Sequence, residues 1–266
     1  MEKAALISNL DNLSLITPKH QRLYFGPEFC QHLLPSPPEL KEALNFARQR
    51  RLSFTLVTPF VTEEGLKKLI PLWEVLKDWQ KSEVVVNDWG VLYFLRENYP
   101  EFFLVLGRLL SKQKRGPRLL NIKDKIPQEM WNHFQRSYLD LPLVRNFLFQ
   151  KGIRRVELDN LLQGIKGDPR IPASLYYPYT YVTTTRMCLT NACDQRTQPL
   201  RSIFPCRKEC SIYTFKLTHR NMPLPLFIKG NTQFFKNEEI PSHLSELGID
   251  RLVQEVEYES NFHSAQ

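Results

Sequence analysis

The chain has 266 residues, 42% hydrophobic and 24% charged, with a formal net charge of +8. That is the composition of a folded globular protein and excludes a disordered, fibrous or disulfide-stapled chain. The most apolar stretches, such as FFLVLG at 102 to 107, fall far short of the roughly 20 apolar residues a spanning helix needs.

The N-terminus carries acids at Glu2 and Asp11 and no long apolar run, so it does not read as a secretory signal. A cytoplasmic location with reduced thiols is the expectation. Short apolar runs bounded by turn residues then predict buried strands at 22 to 26, 52 to 60, 83 to 88, 102 to 107 and 153 to 158. Between them, residues 37 to 51 and 62 to 81 repeat apolar positions at three and four and open on helix-start signals, prolines with Glu39 and Thr62 with Glu63. Strands alternating with helices at a spacing near thirty residues predict a parallel sheet covered on both faces. The length favours a TIM-barrel-like parallel α/β barrel, incomplete or distorted, over an open doubly wound sheet. Residues 20 to 160 carry the regular β/α units. From 161 to 266 the chain turns rich in Tyr, Thr and Phe, broken by prolines and by a cysteine loop, and reads as further strands with irregular connections. No linker divides the chain, so 1 to 266 is read as a single domain.

Asn87 and Asp88 end one predicted strand and Arg108 follows another. The strand ends of a barrel are where substrate-binding groups sit, so these three, with Arg186, are candidate substrate contacts. An Asn-Asp pair is equally an ordinary turn. The densest basic group, Lys112, Lys114, Arg115 and Arg118, would suit phosphates, RNA or an anionic substrate. No RNA-binding signature accompanies it, and a solvated loop is the simpler expectation. No nucleotide-binding glycine motif, α/β-hydrolase elbow or H-E-x-x-H occurs.

Four of the five cysteines, Cys188, Cys193, Cys206 and Cys210, fall in one stretch with four, twelve and three residues between them. C-x₄-C followed by C-x₃-C approximates a zinc knuckle pair, and an iron–sulfur cluster tolerates such irregular spacing. Asn191, Pro199 and Pro205 supply turns that let the thiols converge. Read locally, the four form a metal site, zinc or [4Fe-4S].

YVTTTRMCLT, IFPCRKECS, VVVNDWGVLYFL at 84 to 95 and LGRLLSK at 106 to 112 resemble the collagenase-like peptidase family U-thirty-two. Its members share a barrel-like part with an ND-x-G strand end, then GR-x-L, then R-C and a cysteine cluster. The likeness covers most of residues 22 to 235. Within that family the chain is most similar to the iron–sulfur protein pair of oxygen-independent ubiquinone biosynthesis, where a lone cysteine follows the first strand. Here LYFGPEFC ends in Cys30. The resemblance implies a [4Fe-4S] cluster on Cys30, Cys188, Cys206 and Cys210, whereas the local reading takes Cys193 as the fourth ligand; both remain open at this point. It also implies an oxygen-independent hydroxylation or related modification of a small anionic or aromatic substrate, and a partner from the same family in a heterodimer. The peptidase-associated C-x-x-x-S-G-x-C is missing, which speaks against proteolysis. Seventeen residues separate Cys188 from Cys206, more than in the quinone-pathway relative, so its substrate does not carry over. A peptidase and a non-enzymatic module with structural zinc are the competing readings.

Overall fold

The computed structural model of the protein describes residues 1–79, 81–195 and 204–258. Eight parallel strands close a barrel. In chain order they are β1 (Glu2–Ile7), β2 (Arg22–Phe25), β3 (Ser53–Thr58), β4 (Glu83–Val86), β5 (Phe103–Leu106), β6 (Arg155–Asp159), β7 (Ala173–Tyr177) and, after an inserted sheet, β12 (Ile249–Gln254). β12 lies between β7 and β1, with Leu252 opposite both Leu175 and Lys3, and so seals the sheet.

The strands are apolar on both faces because both are covered. Ala4, Leu6, Tyr24, Val57, Val85, Val105, Tyr176 and Val253 form one buried cluster inside the barrel. Their chain neighbours, such as Ala5, Leu23, Leu56, Val84 and Leu104, belong to a second cluster under the helices. Successive strand residues thus serve opposite faces.

The helical ring is partial. α1 (Pro37–Arg50) starts on a Ser36–Glu39 capping box and stops at Arg51 in the left-handed region. α2 (Glu63–Leu76) is capped by Thr62 and buries Leu69, Leu72, Trp73 and Leu76. α3 (Trp89–Asn98) is capped by Asp88. The long crossover from β5 to β6 holds two shorter helices, α4 (Gln128–Phe134) and α5 (Pro142–Gln150). No α-helix joins β1 to β2 or β6 to β7. The barrel is therefore closed in its sheet and distorted in its outer layer. The insertion between β7 and β12 is a four-stranded antiparallel sheet, order β8-β11-β10-β9, built of β8 (Tyr179–Thr184), β9 (Thr214–Leu217), β10 (Leu226–Lys229) and β11 (Thr232–Lys236). Because β7 delivers the chain at its C-terminal end, this sheet rises from the C-terminal face, where barrel enzymes keep their sites.

The barrel interior is charged at two levels. Toward the N-terminal end, Arg251 donates to the Tyr24 hydroxyl (2.6 Å) and to Glu83 (2.7 Å). Tyr24 in turn donates to Glu157 Oε1 (3.0 Å). Glu157 Oε2 has no hydrogen-bond partner, and burial pushes its carboxyl up to about 8. An unfolded glutamate titrates near 4.3, so between these values the folded chain keeps a proton that the unfolded chain has lost. Its stabilising effect is full below about pH 4 and fades as pH rises through 8. Glu157→Gln is expected to reduce that loss and to raise stability at pH 8.5 by on the order of 2 kcal/mol. Urea midpoints at pH 5.5 and 8.5 check this; an undiminished drop in the variant counts against it.

Candidate functional site

Cys30 is reached by a turn that only glycine permits. Gly26 has φ +125°, and a Cβ there would lie 2.4 Å from the Val57 carbonyl oxygen. The chain leaves β2 across the barrel mouth, and Phe29 anchors it against Tyr181 and Phe234 with ring centres 5.2 and 5.5 Å away. Cys188 follows β8, its Sγ 3.3 Å from the Thr190 hydroxyl. Cys206 accepts from the Lys208 N–H (3.4 Å). Cys210 is buried against the β10–β11 turn, where a Cβ on Gly230 would lie 3.3 Å from its own Cβ.

These thiols share one cavity of about 1220 Å³, above the roughly 300–1,000 Å³ usual for small-molecule sites. Burial raises the Cys30 thiol, and neighbouring Cys206 and Cys188 add to the shift. Burial pushes Cys210 up to about 12, with Cys188, Cys30 and Cys206 adding to it and Lys229 opposing. Cys193 also borders the cavity, and its rise comes from burial, Asp194 and Glu209 ahead of Cys188. Cys30, Cys188, Cys206 and Cys210 thus border one cavity, and Cys30 and Cys210 each respond to the other thiols there. Among the described residues no three His, Cys, Asp or Glu side chains converge on a single-ion site.

The cysteine loop is braced from within. Buried Glu209 accepts from the Ala192 N–H (3.0 Å) and the Arg207 N–H (3.3 Å). Asn191 accepts from the Phe204 N–H (3.2 Å), and Arg207 pairs with Asp194 at 2.5 Å. These bonds join the Cys188 and Cys206 halves of the loop. Pro199, read as one of its turns, lies outside the described residues.

The other sequence candidates divide. Asn87 is buried; its amide donates to the Thr58 carbonyl (3.0 Å) and accepts from the Leu109 N–H (3.2 Å). A Cβ on Gly107 would sit 2.1 Å from Asn87 Oδ1, so the GR-x-L glycine makes room for this tie. Asp88 caps α3 and accepts from the Val61 N–H (3.2 Å). Both side chains tie strand ends and loops together. Arg108, expected at a substrate anion, is fully buried and turned inward. It donates to Glu28, to Asp159 (2.8 Å), to Glu255 (2.8 Å) and to the Tyr179 carbonyl (3.2 Å), and Tyr176 lies 4.0 Å under its guanidinium. These bonds take up its five N–H groups. The basic loop is corrected likewise at Arg115, which is buried on Asp159 at 2.5 Å, while Lys112, Lys114 and Arg118 are exposed. Of these candidates Arg186 lines the cavity, its guanidinium 5.2 Å over Phe60 and donating to the Val61 carbonyl (3.4 Å).

Ser8, Lys229 and Glu257, unsuspected from the sequence, also line the cavity; Ser8 donates to Glu257 (2.7 Å from its N–H) and Lys229 pairs with it at 3.4 Å. Lys229 ends β10, at the turn into β11. Ser8 and Glu257 stand just past the ends of β1 and β12, neither of which the apolar-run reading picks out.

Fold and site define a parallel α/β barrel with a thiol-lined cavity over its C-terminal face. The chain is similar to the solved structure of the U32 peptidase Mk0906, with 12% identity, a TM-score of 0.47, and 96% of this chain and 92% of that one covered. It is also similar to a glycoside hydrolase family 18 N-acetylglucosaminidase from Paenibacillus barengoltzii, with 8% identity, a TM-score of 0.38, and 95% and 94% covered. Both TM-scores are below 0.5, so the barrel rests on its own strand pairing. No known family profile matches the chain, and no curated protein does. No helix among the described residues is long and apolar enough to cross a membrane.

Proposed function

We propose that the chain is an iron–sulfur protein of the peptidase U-thirty-two kind, with Cys30, Cys188, Cys206 and Cys210 as ligands of a [4Fe-4S] cluster, acting in an oxygen-independent hydroxylation or related modification. One observation carries the reading: four thiols, one of them 158 residues from the next in sequence, border a single cavity, and those of Cys30 and Cys210 are raised by burial with the neighbouring thiols adding to it. Such a set is costly as four thiolates and is neutralised by bound iron. The donor chemistry fits, since all four are thiols. Tetrahedral zinc, with Zn–S of about 2.3 Å, needs sulfurs drawn tightly around one point, and the thiols here rim a wide cavity. When bound, a cluster supplies one-electron chemistry or a Lewis-acidic iron.

The protein's own residues set the surroundings. Arg186 offers the cavity a guanidinium for an anionic substituent. Lys229 places a cation near Cys210, favouring its thiolate. The partly apolar walls, including Phe215, Ile228 and Phe234, suit a ring.

Anaerobic purification tests the reading. About four iron and four sulfide per chain, with broad absorption in the visible, are expected. A colourless protein holding one zinc would overturn it in favour of a structural zinc module. Peptide cleavage that disappears with the cluster would shift the activity to proteolysis.

A further inference from the structure

The β10–β11 turn touches three of the four thiol-bearing segments. Asn231 is 6% exposed, and its side-chain amide donates to the Phe29 carbonyl and to the Thr185 carbonyl, both at 2.7 Å. Phe29 is the neighbour of Cys30, and Thr185 lies three residues before Cys188. The backbone repeats the tie: the Thr185 N–H donates to the Asn231 carbonyl (3.1 Å) and the Leu189 N–H to the Gly230 carbonyl (3.1 Å). Thr232 donates to Asn231 Oδ1 (3.1 Å), fixing which way the amide faces. On the other side of the turn, Gly230, at φ +63°, leaves room for Cys210, with 3.6 Å from a built Cβ to its Sγ.

The geometry points to Gly230–Asn231 as the positioning element of the thiol site: Asn231 sets the spacing of Cys30 and Cys188, and Gly230 seats Cys210 beside them. The inference rests on the cluster reading for its purpose, but its structural content belongs to the chain alone. Phe29 and Thr185 stand on loops after different strands, β2 and β8, and the Asn231 amide bonds both. One primary amide with two donors meets two carbonyls that would otherwise be without that partner, a task a carboxylate cannot perform. Cys206 and Cys210, with three residues between them on one loop, do not depend on Asn231 for their proximity.

A short bifunctional thiol reagent on the full-length, iron-free chain, read by mass spectrometry, tests this. In the wild type, Cys30–Cys188, Cys188–Cys210 and Cys206–Cys210 links are expected. Asn231→Ala and Asn231→Asp should each lower Cys30–Cys188 linking by at least about fivefold, the scale of a lost net hydrogen bond, and leave Cys206–Cys210 linking in place. Gly230→Ala should lower Cys188–Cys210 linking and spare Cys30–Cys188. After iron loading, the Asn231 variants should lose iron to a chelator faster than wild type and show an altered electron paramagnetic resonance signal. Unchanged Cys30–Cys188 linking in both Asn231 variants overturns the inference, as does an equal fall of every link. A wild type that takes up no iron while its thiols respond to Asn231 in this way would sink the cluster reading and leave the positioning role standing.

Discussion

On the proposed cluster reading, Cys30→Ala is expected to abolish iron binding by the anaerobically prepared protein, and Cys193→Ala to leave it in place. Cys30 is half-buried at the cavity, and the Cys206 and Cys188 thiols act on it. Cys193 is exposed and responds to Asp194 and Glu209 ahead of any other thiol. Cluster binding energy is in part folding energy, because the unfolded chain cannot present a formed site. Loss of a ligand should therefore lower the melting temperature of the anaerobically prepared protein as well as its iron content. Cys188→Ala, Cys206→Ala and Cys210→Ala should resemble Cys30→Ala. Iron and sulfide analysis of the five single variants checks the pattern. A Cys30→Ala protein that keeps its cluster, beside a Cys193→Ala protein that loses it, would move the fourth ligand into the local loop.

The legible part of the fold is the part where burial and polarity agree. β2 to β6 are short apolar runs because the barrel interior and the helices cover their two faces with similar side chains. β12 was illegible: IDRLVQ brings Arg251 into the barrel, where Glu83, Glu2 and Tyr24 meet it, so a charge stands where a core residue would be sought. β1 escapes the apolar-run reading because EKAALI has charges at its first two positions; burial covers only the four residues that follow. The Tyr- and Thr-rich stretch from 175 to 187 holds two strand ends, β7 and β8, divided at Pro178 and assigned to different sheets. At the site, the cysteine clustering was visible from spacing, but the neighbours of Cys30 were not, since they depend on a turn and a crossing of the barrel mouth. Glu209 and Asn231 were invisible for the opposite reason to Arg251: a Glu or Asn in a polar loop reads as solvated, and only the structure shows each spending its polar atoms on backbone groups of the cysteine-bearing segments. Arg108 misled because a cation following a barrel strand suits an anionic substrate, while three carboxylates of the chain already occupy it.

Those three carboxylates make Arg108→Met the substitution with the largest expected cost to the fold. Glu28, Asp159 and Glu255 come from the loop after β2, the end of β6 and the residue after β12, and all are buried around one guanidinium. Arg115 offsets only Asp159, among the three, by direct contact. Removing one partner from a buried ionic cluster costs about 3–5 kcal/mol, because the remaining charges are left without compensation. Lysine would not restore the network, since a single ammonium cannot reproduce a fork that reaches three carboxylates at once. Burial already pushes Glu255 up to about 8 with Arg108 opposing the rise, so its folded pKa stands above its unfolded one. Stability from that proton is complete below about pH 4 and declines as pH climbs through 8. Without Arg108 the carboxylates must take up protons to remain buried, so the variant's deficit should be smaller at pH 5.5 than at pH 8. Thermal unfolding of wild type and variant at the two pH values measures it, with a fall on the order of 10 °C at pH 8. Equal melting temperatures would show the cluster to be dispensable. A deficit that grows on acidification would show that Arg108 acts by something other than neutralising carboxylates. Glu28 lies two residues before Cys30, so the same loss should loosen the Cys30 turn, and iron retention should fall together with the melting temperature.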